Sequence, residues 1–470
     1  MQIATKERTA VSMVEEAIKK AKCCENYNIF VSLNEEAAMN RAREIDAKIA
    51  RGEDAGRLAG VPYALKDNFL SREGATTASS KILEPFKSPI TSTAVKKLED
   101  EGAIMIGRTN MDSFAHGSST ENSYFGPTLN AYDETRVSGG SSGGSAVAVA
   151  KGIVQFATGT DTGGSIRQPA SFNGVFGFKP TYGTISRYGV VAMASSTDCI
   201  GFFANSASDI DLLMQICAGQ DPYDMTTLPD FYNEAREREE GVHAKIGVIR
   251  DFDLSKVDPA IKSAFDAKIA ELKAAGHEIV ELDMPALKYA LAVYYIVVPA
   301  EISSNLSRHD GVRYGYRSED AKSLEEVYSF SRNLGFMPEN KRRIMIGNFV
   351  LSSGFYDAYY LKAQKARTLI IKAYEDAFKK CDFIITPVSP NPAFKLGEKV
   401  NDPISMYLED VMSVPLNLAG VPGLAIPVGK TEPTETAKEG LPIGLQIVGP
   451  RRSDKALLEF ASQITQREGN

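Results

Sequence analysis

Residues 138–183 read SGGSSGGSAVAVAKGIVQFATGTDTGGSIRQPASFNGVFGFKPTYG. In this stretch two glycine/serine loops, SGGSSGGS and TDTGGS, flank a helix of small residues and the apolar strand IVQFATG. Glycine is used where the backbone takes a positive φ or where another group must approach closely. Four consecutive backbone N–H groups follow Asp161 and could converge on one point, as they do in anion-binding sites at helix starts. The stretch therefore indicates a site built on loops that join helices to strands.

Helix and strand patterns alternate on both sides of this segment. Residues 8–22 and 34–50 have the periodicity of amphipathic helices, and VPYALKDN at 61–68 is predicted to be a strand with Lys66 near its end. The helix predicted over 258–276 has an aspartate cap, a proline at its first position and a glycine after its end. This alternation predicts an α/β fold with a central mixed, twisted β-sheet covered by helices on both faces.

The length of the chain, 470 residues, would by itself suggest two or three domains. Large α/β enzymes often exceed that size as one unit, and the sequence contains no internal repeat. We therefore expect one domain over residues 1–470, with the site-bearing core at about 60–200. Residues 205–245 are acidic and are expected to form an irregular surface excursion.

The composition is that of an ordinary soluble globular protein, with 43% hydrophobic residues and a formal net charge of −7. This mild acidity argues against a chain that binds nucleic acid by itself, and the basic triplet 341–343 is predicted to be a solvated helix face. The five cysteines show neither CxxC nor CxxH spacing, which indicates reduced thiols and no metal site. No apolar stretch approaches 18 residues, so we expect a cytoplasmic protein without membrane contact.

Three interpretations of the two loops are a flexible turn, a phosphate-binding site and the nucleophile elbow of a hydrolase. A flexible turn would explain either loop in isolation. A phosphate site is disfavoured because GGSSGGSA lacks the P-loop lysine and no GxGxxG opens a helix. Residues 139–143 match the G-x-S-x-G elbow, but the segment before them is polar and no later histidine lies in a motif. A serine would then need another base, and a buried lysine can serve. Lys66 is a candidate, although spacing alone favours a surface ion pair with Asp67.

The combination of Lys66, GGSSGGS and TDTGGSIRQP resembles the amidase signature family, whose single α/β domain would span the chain. The resemblance implies a Ser-cis-Ser-Lys triad with Ser165 as nucleophile, Ser141 as bridging serine and Lys66 as base. It also implies a cis peptide bond between Gly140 and Ser141. The other implied site residues are the oxyanion donors Thr162, Gly163, Gly164 and Ser165, and the supporting residues Ser142, Asp161 and Arg167.

Longer phrases, among them GRTNMDSFAHGSSTENSYFGPTLN and KRRIMIGNFVLSSGFYDAYYLKAQK, resemble the glutaminase subunits of tRNA amidotransferases within that family. The resemblance implies that Arg343 binds the carboxylate of free glutamine, that Asp410 binds its ammonium, and that Tyr294 lies nearby. An arginine suits a carboxylate because its planar fork donates two hydrogen bonds. The residues alone leave two different interpretations, a solvated helix face for Arg343 and a helix cap for Asp410.

The same resemblance implies a heterotrimer with the subunits B and C of such an amidotransferase, in which this chain hydrolyses glutamine to glutamate and ammonia. The first of these partners would use ATP and Mg²⁺, bind the tRNA and amidate Glu-tRNA(Gln), and the choice of Asp-tRNA(Asn) as an acceptor would lie there too. The second would tie the complex together, and this chain would carry no cofactor. The alternatives are a stand-alone amidase for small neutral amides and a catalytically silent structural protein, and the intact Lys66, Ser141 and Ser165 speak against the latter.

Overall fold

The structure is a computed structural model that describes residues 1–235, 243–250 and 256–465. Its strands are β1 Phe30–Leu33, β2 Pro62–Lys66, β3 Ile104–Thr109, β4 Phe156–Asp161, β5 Phe176–Lys179, β6 Cys199–Ala204, β7 Lys245–Ile249, β8 Glu278–Leu282, β9 Phe383–Pro387, β10 Gly423–Lys430 and β11 Pro442–Val448. Its helices are α1 Ala10–Cys23, α2 Glu35–Arg51, α3 Thr93–Asp100, α4 Gly143–Ala150, α5 Arg167–Asn173, α6 Ala207–Cys217, α7 Phe231–Glu234, α8 Pro259–Ala274, α9 Ala290–Asn305, α10 Leu324–Gly335, α11 Pro338–Leu351, α12 Lys362–Ala377, α13 Pro403–Leu408, α14 Val414–Ala419 and α15 Asp454–Thr465. A π-helix, Tyr356–Leu361, precedes α12.

All eleven strands belong to one sheet with the order β1-β3-β2-β4-β6-β5-β10-β11-β9-β7-β8. The sheet is mixed: β2 runs parallel to β3 and β4, and β7 runs parallel to β8 and β9, while the remaining neighbouring pairs are antiparallel. A single sheet that runs through the described residues confirms the predicted α/β fold.

Helices cover both faces of the sheet, as alternation along β2 shows. Tyr63 and Leu65 are buried against α3, α6 and α15, whereas Ala64 points to the opposite face and is buried among α1, α2 and α4. Successive side chains of a strand point to opposite faces, so both faces must be covered when all three residues are apolar. A third apolar cluster joins α9, α12 and α14 to the β7–β9 side of the sheet.

The local signals in the sequence account for several element boundaries. Helix α2 ends at Gly52, which takes a left-handed conformation with φ of 74°. Helix α8 begins as predicted, because the Asp258 side chain accepts the N–H of Ala260 and Pro259 occupies the first helical position. Strand β2 covers Pro62–Lys66 of the run at 61–68 that is predicted to be a strand, so Lys66 is its last residue.

The predicted irregular excursion at 205–245 is wrong for its first part. Ala207–Cys217 is a regular helix, α6, that buries six residues including Ile210 and Leu213. The short helix α7 follows, with Tyr232 fully buried. The acidic residues lie on the outer face of α6, which made an amphipathic helix look like a polar loop. Residues 236–242 of the predicted excursion lie outside the described residues.

One helical stretch of the described residues, Pro285–Arg308, is long and apolar enough to cross a bilayer by length and composition alone. Within its most apolar window, 56% is buried inside the protein. The stretch contains α9, whose residues Val297 and Val298 are fully buried. A helix in the core of a soluble protein is buried against neighbouring segments in the same way.

Candidate active site

Three parallel strands bring the predicted triad to one edge of the sheet. Strands β3, β2 and β4 are neighbours and run in the same direction, so their carboxyl ends meet. Lys66 is the last residue of β2, and the loop that carries Ser165 follows β4. Ligands and catalytic groups of open α/β sheets collect at this edge.

The Lys66 side chain is fully buried and is surrounded by hydroxyl groups. Its Nζ lies 2.8 Å from Ser141 Oγ, 2.7 Å from Ser142 Oγ and 2.8 Å from Thr160 Oγ1. The alternative of a surface ion pair with Asp67 is wrong, because the Asp67 carboxylate is also fully buried and lies 3.5 Å from the Arg108 guanidinium instead. Lys66 therefore contacts the bridging serine directly.

Burial lowers the pKa of Lys66 to about 7, although Asp112, Asp161 and Asp198 attract the charged form. An ordinary lysine is protonated near neutral pH, whereas a group with this pKa is about half neutral there. Neutral Lys66 has a lone pair that can accept a proton from Ser141. Burial thus gives Lys66 the pKa that a general base needs near neutral pH.

The loop that carries Ser141 is fixed by close contacts on both sides. The Gly140–Ser141 peptide bond is cis, as the family resemblance implies. A Cβ atom at Gly140 would lie 2.1 Å from Asp112 Oδ2, so only glycine fits there. The Gly140 N–H donates to Gln168 Oε1 at 2.9 Å, and the Ser141 carbonyl accepts the Asp112 N–H at 3.2 Å. These contacts hold the Ser141 hydroxyl against Lys66.

Ser165 lies next to this loop and is the least buried of the three predicted triad residues. Its carbonyl accepts the Ser142 N–H at 3.2 Å, which joins the two glycine/serine loops. Ser165 is 7% exposed, while Lys66 and Ser141 are fully buried. Within the described residues its hydroxyl has no hydrogen-bond partner, so the link from Ser165 to Ser141 stays a prediction from the resemblance.

Three of the four predicted oxyanion donors are available. Across the described chain, the N–H groups of Thr162, Gly163 and Ser165 have no hydrogen-bond acceptor. The prediction for Gly164 is wrong, because its N–H donates to Asp161 Oδ1 at 2.8 Å. Gly164 is required for another reason: a Cβ atom there would lie 2.3 Å from Ser413 Oγ.

The three predicted supporting residues all lie in the site. Ser142 Oγ contacts Lys66 and also donates to the Thr160 carbonyl at 3.3 Å. Arg167 holds Asp161 with two hydrogen bonds, of 3.0 and 3.1 Å, between fully buried side chains. Burial would raise the pKa of Asp161, but the adjacent Arg167 overrides it and lowers that pKa to about 2. Asp161 is thus a permanent anion that shapes the loop.

A cavity of about 300 Å³ is lined by Arg343 and by Asp112, whose carboxylate packs against Gly140. Arg343 is buried, so the interpretation of 341–343 as a solvated helix face is wrong for this residue. Asp410 accepts hydrogen bonds from Ser118 Oγ at 2.9 Å and from Tyr295 Oη at 3.0 Å, so its carboxylate does not cap a helix. Burial raises the pKa of Asp410 to about 7.

Tyr294 connects this pocket to the oxyanion loop. A Cβ atom at Gly163 would lie 2.6 Å from Tyr294 Oη, so the tyrosine packs directly on the loop. Tyr294 also contacts Tyr295 edge-on, with ring centroids 5.0 Å apart. The structure therefore brings Tyr294, Arg343 and Asp410 together around Tyr295.

Two residues of the site, Asp112 and Tyr295, were not predicted from the sequence. Asp112 is fully buried, and its carboxylate accepts the N–H groups of Thr120 and Asn122 at 2.9 and 3.1 Å. Burial raises its pKa to about 7. A signal was present, because Asp112 lies just beyond the buried strand β3, and β3 runs parallel to β2. Tyr295 had no comparable signal, because a buried helix contains many apolar and aromatic residues.

A metal site is not indicated by the described residues, among which no group of three or more His, Cys, Asp or Glu side chains could hold an ion. The five cysteines all lie in the described ranges and are unpaired.

The site combines a buried lysine with a pair of serines at one end of a mixed α/β sheet. The amidase family model matches residues 12–458, and the chain belongs to the amidase family. It is an amidase-family enzyme by this match and by its relatives.

The chain is similar over nearly its whole length to proteins named as the A subunit of glutamyl-tRNA(Gln) amidotransferase. That of Koribacter versatilis is 47% identical over 469 residues, which cover 98% of this chain and 96% of the relative. That of Synechococcus sp. (strain JA-2-3B'a(2-13)) is 50% identical over 465 residues, 98% and 89% of the two chains.

Solved structures agree with this similarity. The crystal structure of the glutamyl-tRNA(Gln) amidotransferase A subunit from Thermotoga maritima superposes with a TM-score of 0.80 at 36% identity, and covers 98% of this chain and 92% of its own. A crystal structure described as an amidase superposes with a TM-score of 0.82 at 32% identity, and covers 98% and 96%.

Proposed function

We propose that this chain is the glutamine-hydrolysing subunit of a tRNA-dependent amidotransferase. The observation that carries the proposal is a pair of buried charged side chains, Arg343 and Asp410, that contact the same tyrosine, Tyr295. The neighbouring Tyr294 packs on the predicted oxyanion loop. Free glutamine is a zwitterion, and a pocket for it needs one group of each sign. A neutral amide would need neither, and burying charges without use is costly.

The proposed reaction begins with neutral Lys66. Ser165 Oγ attacks the side-chain carbonyl carbon of glutamine, its proton passes to Ser141, and the Ser141 proton passes to Lys66 Nζ. The carbonyl oxygen becomes an oxyanion, which the N–H groups of Thr162, Gly163 and Ser165 are free to bind. Donors of this kind contribute roughly 10²–10³ in rate each.

The second half of the reaction returns the proton. The Lys66 ammonium gives its proton back to Ser141, Ser141 protonates the leaving nitrogen, and the C–N bond breaks to release ammonia. Water then attacks the acyl-enzyme through the same relay, which yields glutamate and restores Ser165. Each proton taken from the nucleophile leaves with a product, so the cycle needs no cofactor on this chain.

The proposal includes partners. By similarity to the amidotransferase A subunits, this chain would act in the cytoplasm as part of a heterotrimer with subunits B and C. The first of these partners would bind ATP, Mg²⁺ and the tRNA, and would use the ammonia to amidate Glu-tRNA(Gln), with Asp-tRNA(Asn) as a further acceptor to test. The second candidate function, a stand-alone amidase for small neutral amides, is favoured by the similarity to the solved amidase.

The test compares ammonia release from L-glutamine and from benzamide, with the protein purified together with the partners that bind it. We expect a preference for glutamine, and Ser165→Ala should lower turnover to below about one part in 10³ because the nucleophile is lost. Ser208→Ala, at an exposed serine far from the site in sequence, is the matched control. A preference for benzamide without partners would instead establish the stand-alone amidase.

A further inference from the structure

Among the described residues, only one nitrogen of the Arg343 guanidinium, Nε, has a hydrogen-bond acceptor. Its Nε donates to Glu339 Oε1 at 2.8 Å, and Glu339 lies one turn earlier on helix α11. In the part of the chain that the structure describes, its two terminal nitrogens have no acceptor, although only 4% of the side chain is exposed. Arg343 borders the cavity, so the fork that could bind a carboxylate is left available on that side.

Glu339 is itself fixed by two further donors. The Tyr407 hydroxyl donates to Glu339 Oε1 at 2.9 Å, and the Arg342 guanidinium pairs with the second carboxylate oxygen. Burial would raise the pKa of Glu339, but Arg343 overrides it, so the pKa is below its usual range and the carboxylate stays ionised. Glu339 therefore supplies the fixed negative charge beside Arg343.

A pair of stacked tyrosines connects Glu339 to Asp410, the second charged residue of the pocket. The rings of Tyr295 and Tyr407 lie 3.8 Å apart between centroids and are nearly parallel, at 21°. Tyr407 holds Glu339 by its hydroxyl, and Tyr295 donates to Asp410 Oδ2 at 3.0 Å. The Arg343 guanidinium carbon lies 5.4 and 5.7 Å from the two ring centroids.

We infer that Glu339 is a positioning residue that, with Tyr407, aims the terminal nitrogens of Arg343 at the α-carboxylate of an amino-acid amide. The inference rests on the proposed function and extends it to a residue that does not touch the substrate. The stacked tyrosines connect Arg343 to Asp410, since Tyr295 contacts both residues.

A purely structural role for Glu339 makes different predictions. An acidic residue in the first turn of a helix is stabilising by itself, because it faces the positive end of the helix dipole. Loss of that interaction would lower stability and would weaken the binding of every ligand alike. If Glu339 instead positions the guanidinium of Arg343, its removal would weaken only the binding of ligands that carry a carboxylate.

The experiment measures KM and kcat for L-glutamine in Glu339→Gln and Tyr407→Phe, in the complex with its partners. Glutamine keeps the shape of Glu339 but removes its charge, so KM should rise about tenfold, the loss expected when a hydrogen bond to a charged group is weakened, with kcat within about twofold. Tyr407→Phe keeps the ring stack and should raise KM in the same direction by a smaller factor, about threefold. Glu325→Gln, the same change at an exposed site of helix α10, is the matched control.

The competitor 4-aminobutanamide, which is glutamine without its α-carboxylate, separates the two roles. Its Ki against glutamine hydrolysis should be the same in Glu339→Gln and in the unsubstituted protein. The inference is wrong if the Ki rises together with the KM, or if kcat falls while KM stays constant. Either result would leave the proposed glutaminase activity unaffected. If the unsubstituted protein releases no ammonia from glutamine, the proposed function itself is wrong and this inference falls with it.

Discussion

At the scale of single residues, the chemistry depends on what surrounds Lys66. Its nearest neighbours are three hydroxyl groups, which can either accept a hydrogen bond from the amine or donate one to it. No carboxylate of the described chain lies within ion-pair distance of its Nζ, so the attraction of Asp112, Asp161 and Asp198 for the charged form is outweighed by burial. Burial among groups that suit either protonation state is what allows a lysine to act as a base near neutral pH.

The pH dependence of kcat/KM tests this arrangement. Lys66 must lose a proton to act as base, and Asp410 must lose one to attract an ammonium, and burial shifts both pKa values to about 7. Below pH 7, activity on benzamide should fall about tenfold per pH unit, since only Lys66 matters there, and activity on glutamine should fall more steeply. If kcat/KM falls equally steeply for benzamide and glutamine, Asp410 does not bind the ammonium. If kcat/KM is constant between about pH 5 and 8, Lys66 is not the base.

At the scale of elements, the glutamine pocket depends on how closely two helices approach. Helix α9 carries Tyr294 and Tyr295, and helix α11 carries Glu339 and Arg343. The helices touch at Gly347, where a Cβ atom would lie 1.9 Å from the Pro299 carbonyl oxygen. The registry of the two helices therefore sets where the charged groups lie relative to the tyrosines.

Gly347→Ala should separate these helices. The added methyl group collides with backbone, which cannot rotate away, so we expect a loss of about 1–3 kcal/mol in unfolding free energy. The KM for glutamine should rise as well, because α11 moves with Arg343. Urea denaturation and steady-state kinetics measure the two effects, with Asn348→Ala at the exposed neighbouring position as control. An unchanged KM in a destabilised variant would show that the pocket does not depend on this contact.

At the scale of the whole molecule, Arg167 joins distant parts of the chain. Besides Asp161, its guanidinium donates to the Ser413 carbonyl at 3.0 Å, to Gln446 Oε1 at 2.7 Å and to Asn417 Oδ1 at 2.7 Å. These three partners are 246 to 279 residues away in sequence, and all of them are buried. One side chain, that of Arg167, therefore connects the loop that carries Ser165 to helix α14 and to β11, the last strand along the chain.

Arg167→Met tests that connection. The substitution keeps most of the volume but leaves Asp161 as a buried anion without its cation, which costs about 3–5 kcal/mol in comparable pairs. We expect a lower urea midpoint together with a loss of turnover, since the loop loses its anchor. Arg51→Met, which removes an arginine from an exposed ion pair, should leave both quantities unchanged. A stable but inactive Arg167→Met variant would mean that the arginine orients the loop without holding the fold.

The fold could be predicted from the sequence because it depends on local patterns, whereas the triad followed only from the family resemblance, since spacing alone favoured a surface ion pair for Lys66. The apolar run that forms β2 places Lys66 at its end, and the capping residues of α8 can be recognised in the sequence. The pocket is different: Glu339, Tyr295 and Tyr407 meet only through the packing of three helices, and no spacing in the sequence brings them together. Gly164 was misassigned for a similar reason, because the Asp161 side chain takes its N–H.

The long reach of Arg167 has a consequence for synthesis on the ribosome. Translation proceeds from the first residue, so the nucleophile and its base emerge long before Gln446, the last of the Arg167 partners. Until that residue is made, the loop after β4 lacks one of its contacts, because Arg167 has no Gln446 to donate to. The half-made chain by then contains Lys66, Ser141 and Ser165, but not the complete set of contacts around them. We therefore expect amide cleavage by a nascent chain of this protein to begin only once β11 has joined the sheet.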